Sequence, residues 1–489
     1  MEVLETCAVR SLSLTFQIMS DLKTPFDPAK ARLSNQSGSK LKYFFSIFRF
    51  RGSFSNGRDS LVGKSIISTI DQVALSATNF GVGVILLKTI SLGDYGRYTF
   101  FFSLLMLIVA AHGAVIISPM NVLVAGKKIK QTCDEYITAL LAVQFLIYVP
   151  FVILGVATVF FSQFIESLDF DYVSMGALLL ACLGTIFREF FKPVFYNRPK
   201  AEYILWIDLI YVGVYLSLFF SAIFLGRIQW EFVYIYMFIA AALSGLLGVV
   251  YLKRSGYLSK LKNIRGSLVE NLQHSRWILP SVIISNLSNY SFMYLLIFLL
   301  GDEEAGLAFG TRLTVMPLLL FMLSWVKVAV PHGSKLRETQ QYRALNTMLV
   351  KSTAIFVSGI TAYGFAVYFF RVEISNFLFA EKLGSEIALI VLWLFYSAVA
   401  VFRRNTTIGL QILKEFKLLF YLNLIFTSIG LVFGFVLVKS LGITGSILAM
   451  ILTESTLAIS SGFFYSRKVR ILARQNIKPI EDAFPTGVA

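Results

Sequence analysis

Charge is scarce in this chain. Only 15% of its 489 residues are Asp, Glu, Lys or Arg, against about a quarter in soluble proteins, while 56% are apolar and mean hydropathy is +0.72. So little polar surface cannot cover a fold in water, which excludes a soluble globular domain. Cysteine is nearly missing. Cys7, Cys133 and Cys182 lie far apart, so neither a disulfide framework nor a zinc-type pair is encoded. His112, His274 and His332 do not cluster either. No nucleotide loop is present: Gly57–Ser65 holds five residues between its glycines where a phosphate loop needs four, and no strand precedes it. Asp169-Phe170-Asp171 stands alone and reads as solvated loop charge. No cofactor or metal is expected. Residues 11–19 are too short and broken for a signal peptide, and Glu2 and Glu5 spoil its basic lead.

What the chain has is long apolar runs. About 20 apolar residues cross a bilayer as a helix. That ruler places spans near 66–90, 98–124, 136–162, 173–195, 204–225, 231–252, 277–300, 305–330, 347–370, 386–409, 418–438 and 443–465. The expected fold class is therefore all-α: a polytopic membrane protein of about twelve transmembrane helices in two six-helix bundles. Residues 1–63 form a polar, basic cytoplasmic extension in which Leu41–Phe54 mixes aromatics with Lys and Arg, a composition suited to an anionic leaflet. Residues 64–252 are the first bundle, 253–276 a cytoplasmic linker, 277–468 the second bundle, and 469–489 a cytoplasmic tail.

The formal net charge of +16 would suggest nucleic acid on a soluble protein. Its placement argues otherwise. Thirty-five of the 44 Lys and Arg fall on one alternating set of span ends, including Lys127, Lys128, Arg188, Lys192, Lys253, Arg254, Lys335, Arg337, Lys414 and Lys468. Six (Lys88, Arg97, Arg227, Arg371, Lys382 and Lys439) fall on the opposite ends, beside acidic loops such as Asp302-Glu303-Glu304. Such a split is a topology signal. It predicts an inner (plasma) membrane protein with both termini cytoplasmic, and no nucleic-acid partner.

The halves repeat one another. Leu92-Gly93-Asp94-Tyr95-Gly96 closes span one and Leu300-Gly301-Asp302 closes span seven, and in each a second glycine, Gly96 or Gly306, opens the next span. The turns Phe195–Lys200 and Leu410–Lys417 each lead a basic stretch into an apolar helix, with Asp208 or Asn423 just inside. Parallel six-span repeats put a substrate path between the bundles. These residues, together with the turn Asn197-Arg198-Pro199-Lys200, resemble the polysaccharide (O-antigen type) flippases of the multidrug/oligosaccharidyl-lipid/polysaccharide exporter superfamily, over roughly residues 64–468. The resemblance implies a transporter that moves a polyprenyl-pyrophosphate-linked oligosaccharide between leaflets by alternating access. It also implies membrane lipids and polysaccharide polymerase or assembly proteins as partners.

Ionisable residues inside spans are costly, so they face a cavity or a partner. Arg312 lies too deep in span eight to snorkel, and its planar fork suits phosphate. It reads as a substrate contact, or as a structural partner of Glu454. Lys327, fifteen residues on, falls near the same helix face at 100° per residue and reads as a second cavity cation or as a snorkelling one. Glu454 binds a coupling ion or pairs with Arg312 or Lys351. Asp71 couples ions or pairs with a neighbouring basic residue. Asn79, Asn286 and Asn289 bridge helices or touch sugar. Arg403 and Arg404 anchor the end of span ten or first meet the pyrophosphate. His112 with Pro119 marks a bent helix facing a cavity, or a hydrogen-bonded core histidine. Three functions remain open: an oligosaccharide flippase, a drug or organic-cation antiporter of the same architecture, and a membrane polymerase or ligase. Short outer loops argue against the last, and no enzyme activity is expected.

Overall fold

The computed structural model describes residues 61–126, 130–162, 172–196, 202–371, 373–374 and 387–475. The basic extension with Leu41–Phe54, the start of Gly57–Ser65, Asp169-Phe170-Asp171 and the turn Asn197-Arg198-Pro199-Lys200 lie outside them. The first half runs α1 Leu61–Thr89, α2 Leu92–His112, a π-turn Gly113–Ile117, α3 Ser118–Gly126, α4 Lys130–Ser162, α5 Tyr172–Glu189, α6 Phe191–Tyr196, α7 Glu202–Phe224 and α8 Trp230–Arg254. A linker helix, α9 Ile264–Ser275, follows. The second half runs α10 Ile278–Leu299, α11 Asp302–Leu313, α12 Met316–Glu338, α13 Tyr342–Phe369, α14 Ile387–Ile412 and α15 Phe416–Gln475.

Among the described residues, nine helices are long and apolar enough to cross a membrane, and the bent pair α11–α12 makes a tenth. The 60-residue α15 is two helices joined at Gly442, whose φ of 59° and ψ of −135° only glycine adopts without strain. With the 33-residue α4, this gives the twelve helical segments expected. Much of their apolar surface faces outward: Phe224 is 91% exposed and Phe369 72%. In water that would be a liability; against lipid it is the required solvent-facing chemistry.

Two breaks in the spans follow from proline. Pro119 has no N–H for the carbonyl of Val115, and its ring crowds that carbonyl. The helix widens there into the π-turn, in which the N–H of Ser118 donates to the carbonyl of Gly113. The freed carbonyls are taken up by α9: Asn271 donates to Val115 (3.2 Å) and Ser275 to Ala114 (3.0 Å). At span eight, Pro317 in the first turn of α12 separates it from α11 with a 56° bend. Lys327 and Arg312 therefore sit on two different helices. The shared face expected for them assumed one continuous helix, and the break at Thr314 and Val315 removes that relation.

The Leu-Gly-Asp motifs do not close spans one and seven but open the next helices. Ser91 caps α2, its hydroxyl accepting from the N–H of Asp94 (3.0 Å), and Gly301 precedes α11. There the two halves meet backbone to backbone. A Cβ on Gly96 would overlap the carbonyl of Asp302, and one on Gly306 the carbonyl of Leu92, which is the small-residue logic of close helix crossings. Arg97 on α2 pairs with Asp302 on α11 at 2.5 Å. One apolar core is shared across this joint, with Leu86, Tyr95, Phe101 and Phe219 beside Phe292, Phe309 and Trp393. Toward the opposite ends of the helices the cores separate. Ile116, Phe195, Ile204 and Leu252 pack in the first half, and Leu345, Ile408, Leu410 and Tyr465 in the second. The halves are thus joined at the acidic-loop ends and have independent cores at the basic ends.

Candidate functional site

Each half buries one group of charges. In the first, α1, α5, α6 and α7 bring Asp71, Arg188, Glu189, Lys192 and Asp208 together. The Lys192 ammonium lies 3.0 Å from Glu189, 3.4 Å from Asp208 and 3.7 Å from Asp71. Arg188 donates to Glu189 at 2.7 Å, approaches Asp208 at 3.5 Å, and stacks over the Tyr211 ring at 3.8 Å. Helical spacing makes this possible: Arg188 and Lys192 are one turn apart on one face, with Asp208 and Tyr211 likewise spaced on α7. Three carboxylates face two cations, an excess of one negative charge in a buried setting. The Asp71 Oδ1 atom and both Asp208 carboxylate oxygens are buried without a hydrogen-bond partner, so the cluster has acceptor capacity for a proton or a small cation.

In the second half the charge runs the other way. Arg312 is 4% exposed. Its guanidinium donates to the Asn289 side-chain oxygen (2.9 Å) and its backbone carbonyl (3.4 Å), tying α11 to α10. It lies 5.1 Å from the Phe292 ring centre, 5.3 Å from Trp393 and 5.9 Å from Phe309. Trp393 is itself fixed by a 3.2 Å bond to the Thr311 hydroxyl. Among the described residues no carboxylate lies within ion-pair distance of Arg312. Cation–π contact and one amide offset only part of its desolvation.

By its depth Glu454 is expected to bind a coupling ion or to pair with Arg312 or Lys351. The structure pairs it with Arg403, whose Nε donates to Glu454 Oε2. The reason is registry: α14 and the second arm of α15 pack along their length and bring these two residues face to face. Lys351 is exposed on α13. Arg404 follows Arg403 on α14, half-buried. Of these two arginines Arg403 is the one ion-paired with Glu454, and Arg312, Arg403 and Arg404 together make three buried or half-buried arginines on α11 and α14. Beside Glu454 lies a narrow crevice lined by Ser288, Ser291, Ser446 and Thr453.

Among the other expected residues, Lys327 is on α12. Asn79 is half-buried on α1, about 12 Å along the helix axis from Asp71, outside the first cluster. Asn286 donates to the carbonyl of Val282 one turn back (3.0 Å). His112 bonds Gln144 at 2.8 Å in the core, directly before the π-turn. Reading the sequence assigned Arg188 and Lys192 to the basic flank of span four and gave Asp208 no role. The missed signal was three ionisable residues within five positions where α5 meets α6, opposite an aspartate inside an apolar helix.

No known protein-family profile matches the chain, and no curated protein does. Solved structures do. An inward-facing multidrug-resistance MATE family transporter of the MOP superfamily aligns with TM-score 0.69 at 14% identity, covering 83% of this chain and 99% of that one. An outward-facing structure of such a transporter gives TM-score 0.61 at 13% identity, over 90% and 100% of the two chains. A mutant of a Vibrio cholerae MATE transporter gives 0.60 at 12%, over 85% and 98%. The chain therefore has the fold of these transporters, and of the two states it superposes better on the inward-facing one.

Proposed function

We propose that the chain is a secondary transporter that works by alternating access and carries an anionic, lipid-linked oligosaccharide across the inner membrane for surface polysaccharide synthesis. The observation that carries this reading is Arg312: a buried guanidinium in the middle of a membrane bundle with no acidic partner among the described residues, on the same half as Arg403 and Arg404. A diphosphate supplies the charge it lacks, and a planar fork binds phosphate oxygens in pairs. The aromatic rings around Arg312 suit a sugar face. The separate cores at the basic ends fit a carrier opened toward the cytoplasm, the side that the distribution of Lys and Arg predicts. Rocking about the Gly96–Gly306 joint would close those ends and part the others. The acid-rich cluster around Asp71 serves in this scheme as the ion-coupling site.

The same cluster favours a second reading, export of an organic cation in exchange for an ion, because a net-negative buried site selects positive cargo. One experiment separates the two. Proteoliposomes containing the full chain are given a fluorescent polyprenyl-pyrophosphate oligosaccharide or a cationic dye, with wild type beside Arg312→Ala. Glycan translocation by wild type, lost in a folded Arg312→Ala, supports the flippase. Translocation by both discards Arg312 as the site. Dye efflux without glycan translocation supports the antiporter, and glycan elongation without translocation would bring back the polymerase.

A further inference from the structure

The linker helix α9 carries apolar side chains on two faces. Its inward face combines the half-buried Ile264 and Leu268 with a fully buried polar stripe, Ser267, Asn271 and Ser275, spaced four apart and 7%, 0% and 2% exposed. Asn271 and Ser275 hold the carbonyls that the π-turn leaves free, and Tyr136 of α4 donates to the Asn271 side-chain oxygen. At 100° per residue, Arg265, Val269, Leu272 and Arg276 fall within about 60° of one another on a different face. Val269 is 44% exposed and Leu272 47%, and both arginines are exposed. A helix bordering water keeps its apolar residues inward; α9 sends only Ile264 and Leu268 inward and leaves Val269 and Leu272 facing out between the two arginines. It starts ten residues after α8 ends at Arg254 and stops just before Trp277, itself 54% exposed, which leads into α10. Both neighbours are spans, so α9 lies at the level where the basic span ends meet the lipid headgroups.

We propose that this outer face of α9 is a docking surface for anionic phospholipid of the leaflet on the basic side. Val269 and Leu272 enter the acyl boundary, and Arg265 and Arg276 hold headgroup phosphates. An exposed strip of two aliphatic side chains flanked by arginines, with tryptophan at its end, matches the chemistry of an amphipathic helix lying in the interface. Charge complementarity selects an anionic over a zwitterionic lipid. Because the inner face of α9 holds the π-turn of the second span, lipid bound outside bears on the bend inside. This surface is distinct from Arg312 and from the Asp71 cluster, and it stands whichever cargo the protein carries.

The test uses the full chain in nanodiscs with a trace of photoreactive phosphatidylglycerol or photoreactive phosphatidylcholine, with adducts mapped by mass spectrometry. In wild type, residues 258–277 should be labelled preferentially by phosphatidylglycerol. Each cation near an anionic surface contributes about a fivefold preference, so Arg265→Gln with Arg276→Gln should reduce that preference about thirtyfold. Leu272→Ser should weaken labelling by both lipids alike. All of these substitutions are on exposed positions, so an unchanged melting temperature reports an intact fold. Equal labelling by the two lipids, labelling indifferent to the arginine substitutions, or a segment left unlabelled while the spans are labelled would each overturn the proposal.

Discussion

The two halves repeat a layout but not a charge. Asp208 in α7 and Asn423 in α15 stand at matching positions, each just inside an apolar helix after a basic turn. Asp208 is 2% exposed and completes a five-residue ionic cluster. Asn423 donates to the carbonyl of Leu419 on its own helix (2.8 Å) and joins no ion pair. Arg312 in the second half is in turn buried among aromatic rings, with no carboxylate paired to it among the described residues. One half therefore concentrates carboxylates and the other guanidinium groups. A duplicated scaffold with opposite charge excess offers a place for a cation and a place for an anion in one molecule, which is the minimum equipment for exchanging or coupling the two.

Substitutions in each half and at the joint test that division of labour. Arg312→Ala should have the largest effect. Losing two charge-assisted contacts to a diphosphate, each worth about 1.5–3 kcal/mol, should cut glycan translocation by about a hundredfold or more. Asp71→Asn in the same proteoliposomes should change cargo binding little and instead remove the dependence on the imposed ion gradient. If both substitutions abolish binding equally, the halves do not divide the task.

Stability comes next. Lys192 touches three carboxylates, so Lys192→Met leaves them with Arg188 alone. Breaking a buried pair from one side costs about 3–5 kcal/mol, to be read as a fall in melting temperature in detergent. Adding Asp208→Asn should recover part of the loss. A double variant no more stable than the single one would show that the cluster is not a coupled unit.

Glu454→Gln should act in the opposite sense to Arg312→Ala. It releases Arg403 from its carboxylate, so affinity for the anionic headgroup should rise by about tenfold or more, one charge-assisted contact. An unchanged affinity would remove Arg403 and Arg404 from the cargo path. The smallest effect should come from Arg97→Gln at the joint. The side chains of Arg97 and Asp302 are 35% and 29% exposed, and partly exposed pairs contribute about 1 kcal/mol or less. The glycine crossing beneath them should hold the ends together, so Gly306→Val should damage the fold far more than Arg97→Gln. The reverse order would make the ion pair the principal latch.

What the sequence settled by itself was length and polarity. Apolar runs long enough to cross a bilayer can be counted without knowing how they pack, and the helix count followed from that rule alone. The glycine motifs were also visible as a repeated pattern, with Gly96 and Gly306 opening the next spans, although the place of Leu92-Gly93-Asp94 at the start of α2 rather than at the end of span one was not. Individual deep charges such as Arg312, Asp71 and Glu454 could be singled out because lipid makes each of them costly.

Only the tertiary structure decided which charges meet. Glu454 pairs with Arg403 and not with Arg312 because pairing depends on the rotation and registry of two packed helices, which no local pattern encodes. Arg188 and Lys192 looked like flanking charges because a basic residue near a span end reads the same whether it points to water or inward onto Asp71 and Asp208. The break between Arg312 and Lys327 was written in Pro317, but proline in a membrane helix either kinks or breaks it according to which neighbours satisfy the freed backbone. At Pro119 those neighbours are Asn271 and Ser275 of the linker helix, some 150 residues away in sequence, and hydrogen bonds of that range exist only once the chain has folded.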